Sequence, residues 1–317
     1  MTALAVVALL ALPAARPEGH VKELIAALDR ALQGDAAALQ GFGVEQHLFV
    51  RAGWEDTLSV DGAGVVTYLT QGSDRLGDDV GLYRAELSAE ELRPVLLGAK
   101  AVAQAALKPA RAEAYDTRIT IALVAGGRHL RFTTAAQPAS LQQLEPLTLP
   151  LQRALMKVVQ NPVRALSISV IAPQGVARGA PALFLLKLHN SGSEGMWVPN
   201  PAVLPNQKEG ERVAITWAAM PVPTPGVTPV PTVPHRALLS PQKPAAGSPP
   251  AEEPAYLWLG PKAELDVPLQ ATLDIPADLK ELVLGAELVV NHGEDRLAGR
   301  PRFRGSLLSA DLIVEPR

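Results

Sequence analysis

The chain has 317 residues, of which 48% are hydrophobic and 4% aromatic, with a net charge of −3. That length suits about two domains of 100–200 residues each, with cores built mainly from Leu, Val and Ala, and the acidic balance leaves no electrostatic footprint for nucleic acid or an anionic membrane. Cysteine is absent, which excludes disulfides, thiolate nucleophiles, Fe–S clusters and cysteine-type zinc sites.

The chain opens on an apolar run, Ala3 to Leu12, followed by Pro13, Ala14 and Ala15. The run has the length of a signal-peptide core and is too short to span a bilayer. It carries no Lys or Arg before it and no clean Ala-x-Ala site after it. We read 1–16 as a signal peptide, which implies an extracytoplasmic protein, periplasmic or secreted. A buried N-terminal helix in a cytoplasmic protein is the alternative.

Pro17 to Leu32 reads as a helix, with Val21, Leu24, Ile25, Leu28 and Leu32 on one face and Gly34 just past its end. Gln46 to Ala52 and Asp56 to Val60 read as strands. Asp61-Gly62 marks a hairpin into Val66 to Thr70, with Asp-Gly at the positive-φ positions. Tyr83 to Leu87 is a further strand. Ser88-Ala89-Glu90-Glu91 is a capping box, and Leu87 and Leu92 stand at the staple positions. Pro94 is expected to kink that helix or shift its start. Tyr115 to Leu123 alternates, with Tyr115, Ile119, Ile121 and Leu123 facing inward. Gly126-Gly127 turns it into a hairpin. Leu141 to Gln160 reads as helix broken by Pro146 and Pro150, and Asn161-Pro162 stops it. Residues 17–163 are therefore expected to form an α+β domain, an antiparallel sheet with helices on one face.

Residues 164–317 read as all-β. Leu166 to Ile171 opens this half, and LFLLKLHN (Leu183 to Asn190), apolar on both sides, reads as a central strand buried between two layers. A proline-broken crossing from Trp197 to Pro205 follows. Further strands are Glu211 to Ala218, Tyr256 to Leu259, Glu264 to Leu273, Leu282 to Val290 and Leu307 to Val314. Many short strands with turns between them predict an immunoglobulin-like sandwich, without the Cys…Trp…Cys signature of antibody domains. Met220 to Pro254 is expected to interrupt it as a disordered proline-rich spacer.

Asp74, Asp78 and Asp79 form an acidic loop that lacks EF-hand spacing, so a solvated loop is expected rather than a Ca²⁺ site. His20, His47, His129, His189, His235 and His292 are scattered without metal-binding spacing. Asn291 to Asp295 is a polar turn. Arg296, Arg300, Arg302 and Arg304 around Phe303 are the basic cluster, read as a solvated hairpin. Pro231-Thr232-Val233-Pro234-His235-Arg236 matches an SH3-ligand pattern inside a tract where such matches are expected. No serine elbow, P-loop or dinucleotide fingerprint is present, and the pairs Glu90-Glu91 and Asp78-Asp79 sit in a cap and a loop. No catalytic, cofactor-binding or metal residue is assigned.

Two resemblances accompany this reading. From Phe49 to Leu155 the chain resembles emfourin-type inhibitors of thermolysin-like metalloproteases. The shared order is a hairpin, the Leu87/Glu90/Glu91/Leu92 helix, the Tyr115-to-Ile121 strand, a Gly-Gly turn and a Leu-rich helix. It departs in the long acidic loop and in Pro94, and no inhibitory residue is carried over. The second half, with Gly179-x-Pro181, Leu186-x-Leu188-x-Asn190-x-Gly192 and Leu259-Gly260-Pro261, resembles immunoglobulin-like modules of bacterial envelope proteins, which implies architecture only. The expected function is a non-catalytic secreted or envelope protein that binds another protein. A protease inhibitor and an enzyme with an unrecognised site are the alternatives.

Overall fold

The computed structural model describes residues 18–50, 54–72, 77–105, 117–135, 138–204, 211–219, 234–241, 254–290, 303 and 305–317. The molecule is rich in antiparallel strand with few helices. It divides into two compact units. The first comprises residues up to 52, 57–68 and 85–158, and the second comprises 53–56, 69–84 and 159–317. The apolar run at the start and the signal-peptide reading lie outside the described residues.

The first unit contains helices α1 (Glu18–Leu32), α2 (Ala36–Gln40), α3 (Ala89–Gln104) and α4 (Pro138–Val158). Its sheet runs β3 (Val65–Thr70), β2 (Trp54–Asp61), β1 (Gly43–Val50), β5 (Thr117–Ala125), β6 (Arg128–Ala135). Ile119, Ile121 and Leu123 on β5 and Leu130 and Phe132 on β6 are buried with Leu24 and Leu28 of α1, as the alternation requires. The capping box is present. Ser88 Oγ accepts from Glu91 N at 3.2 Å, and Glu91 Oε2 accepts from Ser88 N at 2.7 Å.

Two local expectations change. α4 is not broken by Pro146 and Pro150, which both lie within one continuous helix. Each internal proline costs about 3 kcal/mol, but Leu144, Leu147, Leu151, Ala154 and Val158 form one buried stripe, at about 1.5–3 kcal/mol for each large side chain. Burial wins. At the β2–β3 turn the left-handed residue is Gly64 (φ +82), while Asp61 Oδ1 holds the loop by accepting from Ala63 N and Val65 N. Gly62 serves a different need, since a Cβ there would stand 1.6 Å from the Leu39 carbonyl oxygen.

In the second unit one antiparallel sheet runs β12 (Ser240–Pro241), β14 (Glu264–Thr272), β8 (Pro181–Asn190), β7 (Pro162–Ile171), β4 (Val80–Glu86). A second runs β11 (His235–Leu238), β10 (Arg212–Ala219), β15 (Leu282–Val290), β16 (Gly305–Leu308), with β17 (Leu312–Val314) also paired to β15. Phe184, Leu186 and Leu188 from the first sheet and Val213, Ile215, Leu284 and Leu288 from the second join one hydrophobic core.

β8 is central in its sheet, between β14 and β7. It is not buried on both faces. Ala182, Phe184, Leu186, Leu188 and Asn190 are buried, whereas Leu183, Leu185, Lys187 and His189 are half-exposed. Only the even-numbered side meets the other sheet. The strand expected over Leu307 to Val314 is split at Ser309, whose Oγ accepts from Ala286 N at 2.7 Å while its own N–H donates to Ala286 O.

The expected spacer over Met220 to Pro254 is interrupted by ordered strand. β11 pairs with β10 in one sheet, β12 pairs with β14 in the other, and Leu239 between them is fully buried. The remainder of the tract lies outside the described residues. The crossing expected from Trp197 also holds a strand, β9 (Met196–Pro199), paired with β13 (Tyr256–Leu259).

Candidate functional site: an aromatic ladder

Several of the polar groups singled out by sequence go to structural partners. Asp79 Oδ2 accepts from Ser191 Oγ, and its backbone carbonyl accepts from the Tyr83 hydroxyl at 2.8 Å. Asp78 is exposed, and Asp74 lies outside the described residues. His20 is exposed beside Arg128, and His129 is exposed on β6. His189 faces Glu264 across the β8–β14 pair, where the Lys187 ammonium holds the Glu264 carboxyl below its ordinary range. Among the described residues no three His, Asp or Glu side chains converge as a metal site would require. His292, Asn291 to Asp295 and the four arginines around Phe303 lie outside the described residues.

Of the SH3-ligand pattern, Pro231 to Val233 lie outside the described residues, and His235 and Arg236 are engaged within the fold. His235 stacks on Trp217, and Arg236 Nε is ion-paired to Glu287 at 2.8 Å. Glu287 is buried and also takes Arg212 through two bonds, at 2.6 and 3.1 Å.

In the first unit a hollow of about 300 Å³ lies between α3 and α4. Of its two carboxylates, Glu90 and Glu91, the latter is already committed to Lys157 (2.7 Å) and to the Ser88 backbone, and both hold its pKa low. On β1, Glu45 is pushed the other way. Partial burial raises its pKa against the opposing pull of His47 and Arg131. Neighbouring Arg118 lies over the Phe49 ring at 4.1 Å.

The feature least explained by folding is in the second unit. β9 (MWVP) and β13 (YLWL) pair antiparallel, with Trp258 opposite Trp197 and Tyr256 opposite Pro199. Met196, Val198 and Leu259 point into the core and are buried. The alternate face carries Trp197, Trp258 and Tyr256. The two indoles stand 5.3 Å apart with planes tilted by 57°, and Trp258 is 51% exposed. Gly195 lies under the Trp258 ring, and a Cβ there would come within 2.3 Å of Cζ2, so the chain leaves room for the ring to lie on the backbone. Phe303 N donates to Trp197 O at 2.8 Å, tying down the ladder's other side. Neither strand has a charged residue. Half the chain's four tryptophans are thus spent on one surface.

Sequence reading passed over this site because Trp197 opened what looked like a proline-broken crossing. The signal was present in two four-residue segments, uncharged and each carrying a Trp, in a chain with few aromatics. No protein-family model matches the chain, and no curated protein is significantly similar to it.

Proposed function

We propose that this is a non-catalytic secreted or envelope protein that works by binding another protein through the aromatic ladder. The observation that carries the reading is Trp258, half-exposed and held beside Trp197. Exposing an indole forgoes burial worth about 1.5–3 kcal/mol for a large side chain, and Trp is among the residues that dominate binding hot spots. The paired antiparallel sheets around one core support an immunoglobulin-like architecture for the second unit. The export half of the proposal rests on Ala3 to Leu12. Among the described residues no helix is long and apolar enough to cross a membrane.

The test is capture from the native envelope fraction with the wild-type chain and with Trp258→Ser. A partner retained by the former and lost by the latter, at equal melting temperature, supports the proposal. Equal capture by both removes the ladder from it. N-terminal sequencing of the native protein tests export, with a start near Arg16 expected.

A second reading, an emfourin-type inhibitor, draws on the first unit, where hairpin, helix, hairpin and helix follow in that family's order. Titrating the chain against a thermolysin-like protease tests it, and undiminished proteolysis at equimolar chain would exclude it.

A further inference from the structure

A second site lies in the first unit and does not rest on the ladder. α3 and α4 touch at one end, where a Cβ on Gly98 would stand 2.2 Å from Pro146 O. They are tied at the other, where Lys157 Nζ is 2.7 Å from Glu91 Oε2, so the two helices run antiparallel. Glu91 and Gly98 are seven residues apart, about 10 Å along the helix axis at 1.5 Å per residue. Over that length Pro94 and Pro150 each stand one turn inward from the Gly98–Pro146 contact. Their rings and the methyl of Ala154 are too short to close the gap. The hollow of about 300 Å³ is what remains, a volume at the small end of ligand pockets.

Its apolar walls come from Leu87, Pro94, Pro150 and Ala154. Three charged side chains reach it, Glu90, Glu91 and Arg153. Glu91 is neutralised by Lys157. Among the described residues, Glu90 and Arg153 form no ion pair with each other or with another side chain. One charge of each sign is therefore left in a concave apolar site. Pro94 adds a further acceptor. It has no N–H, so the Glu90 carbonyl loses the donor that an α-helix supplies four residues on.

A neutral ligand with separated charges fits that inventory. Glu90, with its carboxylate and its carbonyl, suits an ammonium, which has donors and no acceptor. Arg153 offers a planar fork to a carboxylate. The two prolines and Ala154 suit an aliphatic side chain. An α-amino acid carries its ammonium and carboxylate on one carbon, so it can bridge two heads that line one hollow without meeting. A simple cation or anion would leave one of the two unmet.

We infer that the hollow between α3 and α4 binds a free α-amino acid with an aliphatic side chain, its ammonium on Glu90 and its carboxylate on Arg153.

The probe is L-leucine, titrated into the full-length protein and followed by backbone amide NMR and by calorimetry. Saturable shifts at Leu87, Ala154 and the amides around them are expected. Leucinamide lacks the carboxylate, and N-acetyl-leucine lacks the ammonium. Each should bind about tenfold or more weakly than leucine, and leucine should weaken as much on Glu90→Gln and on Arg153→Met. Both side chains are exposed and the Ser88–Glu91 cap is untouched, so both variants should melt as the wild type does. Trp258→Ser should bind leucine unchanged, which separates this site from the ladder. Absence of saturable leucine shifts overturns the inference. Leucinamide binding as tightly as leucine overturns the zwitterion as occupant. Leucine binding that survives both Glu90→Gln and Arg153→Met unweakened places the ligand elsewhere and overturns the site.

Discussion

His235 lies flat on Trp217, with ring centroids 4.1 Å apart and planes within 15° of parallel. This stack marks the start of a structural strap, His235 to Pro241, whose Leu239 is fully buried.

The strap changes what shortening the proline-rich tract should do. Replacing 222–252 by a short Gly-Ser linker removes Leu239, and losing a buried leucine side chain costs about 2–5 kcal/mol. The melting temperature should fall by several degrees. Replacing only 222–232 spares the strap, and loop closure then gains about 0.6 kcal/mol for each halving of length. Calorimetry on the two deletions distinguishes a structural strap from a spacer, and equal melts would refute the strap.

Glu287 is a buried carboxylate between two arginines of unequal exposure, Arg212 at 14% and Arg236 at 43%. Glu287→Ala breaks a buried ion pair by removing the carboxylate that both arginines share and should cost about 3–5 kcal/mol. Arg236→Ala removes the more exposed partner and should cost about 0–1 kcal/mol. Urea denaturation of both variants checks the ranking.

Gly98 is inside α3, where alanine is favoured by about 1 kcal/mol on propensity. A Cβ there would stand 2.2 Å from Pro146 O and 2.7 Å from Leu147 Cα. Those are backbone atoms and cannot swing aside. Gly98→Ala should therefore destabilise by about 1–3 kcal/mol, against its propensity. A stabilised variant would mean that α3 and α4 do not approach this closely.

Burial raises the pKa of Glu45 in the folded chain, so folding favours its protonated form. The associated stability is present below the unfolded pKa and is lost as pH rises through the folded one. Glu45→Gln cannot ionise and escapes that loss. Compared with wild type, the variant should gain in relative melting temperature between pH 4 and pH 7. A constant difference across that range would contradict the assignment.

What could be read from the sequence was much of what is caused within a turn or two. The Ser88–Glu91 capping box, the stripe at Leu24 and Leu28, and the alternation at Ile119, Ile121 and Leu123 are set by periods of 3.6 and 2.0 in the chain. Such patterns also located most of the strands. They do not carry the second face of a strand. LFLLKLHN has the same composition whether one layer or two covers it, and only the partner sheet decides that Leu183 and Leu185 are half-exposed.

The tertiary structure decided the rest. Pro146 and Pro150 argue locally for a break, but the buried stripe of α4 pays more than they cost. Leu239 sits in a proline-rich tract that looks like spacer, and only strands on both sheets reveal that it is core. Trp197 and Trp258 are far apart in the sequence, and no local period relates them. They become one site because β9 and β13 pair in a register set by the whole second unit, which buries Met196, Val198 and Leu259 and leaves the indoles outside.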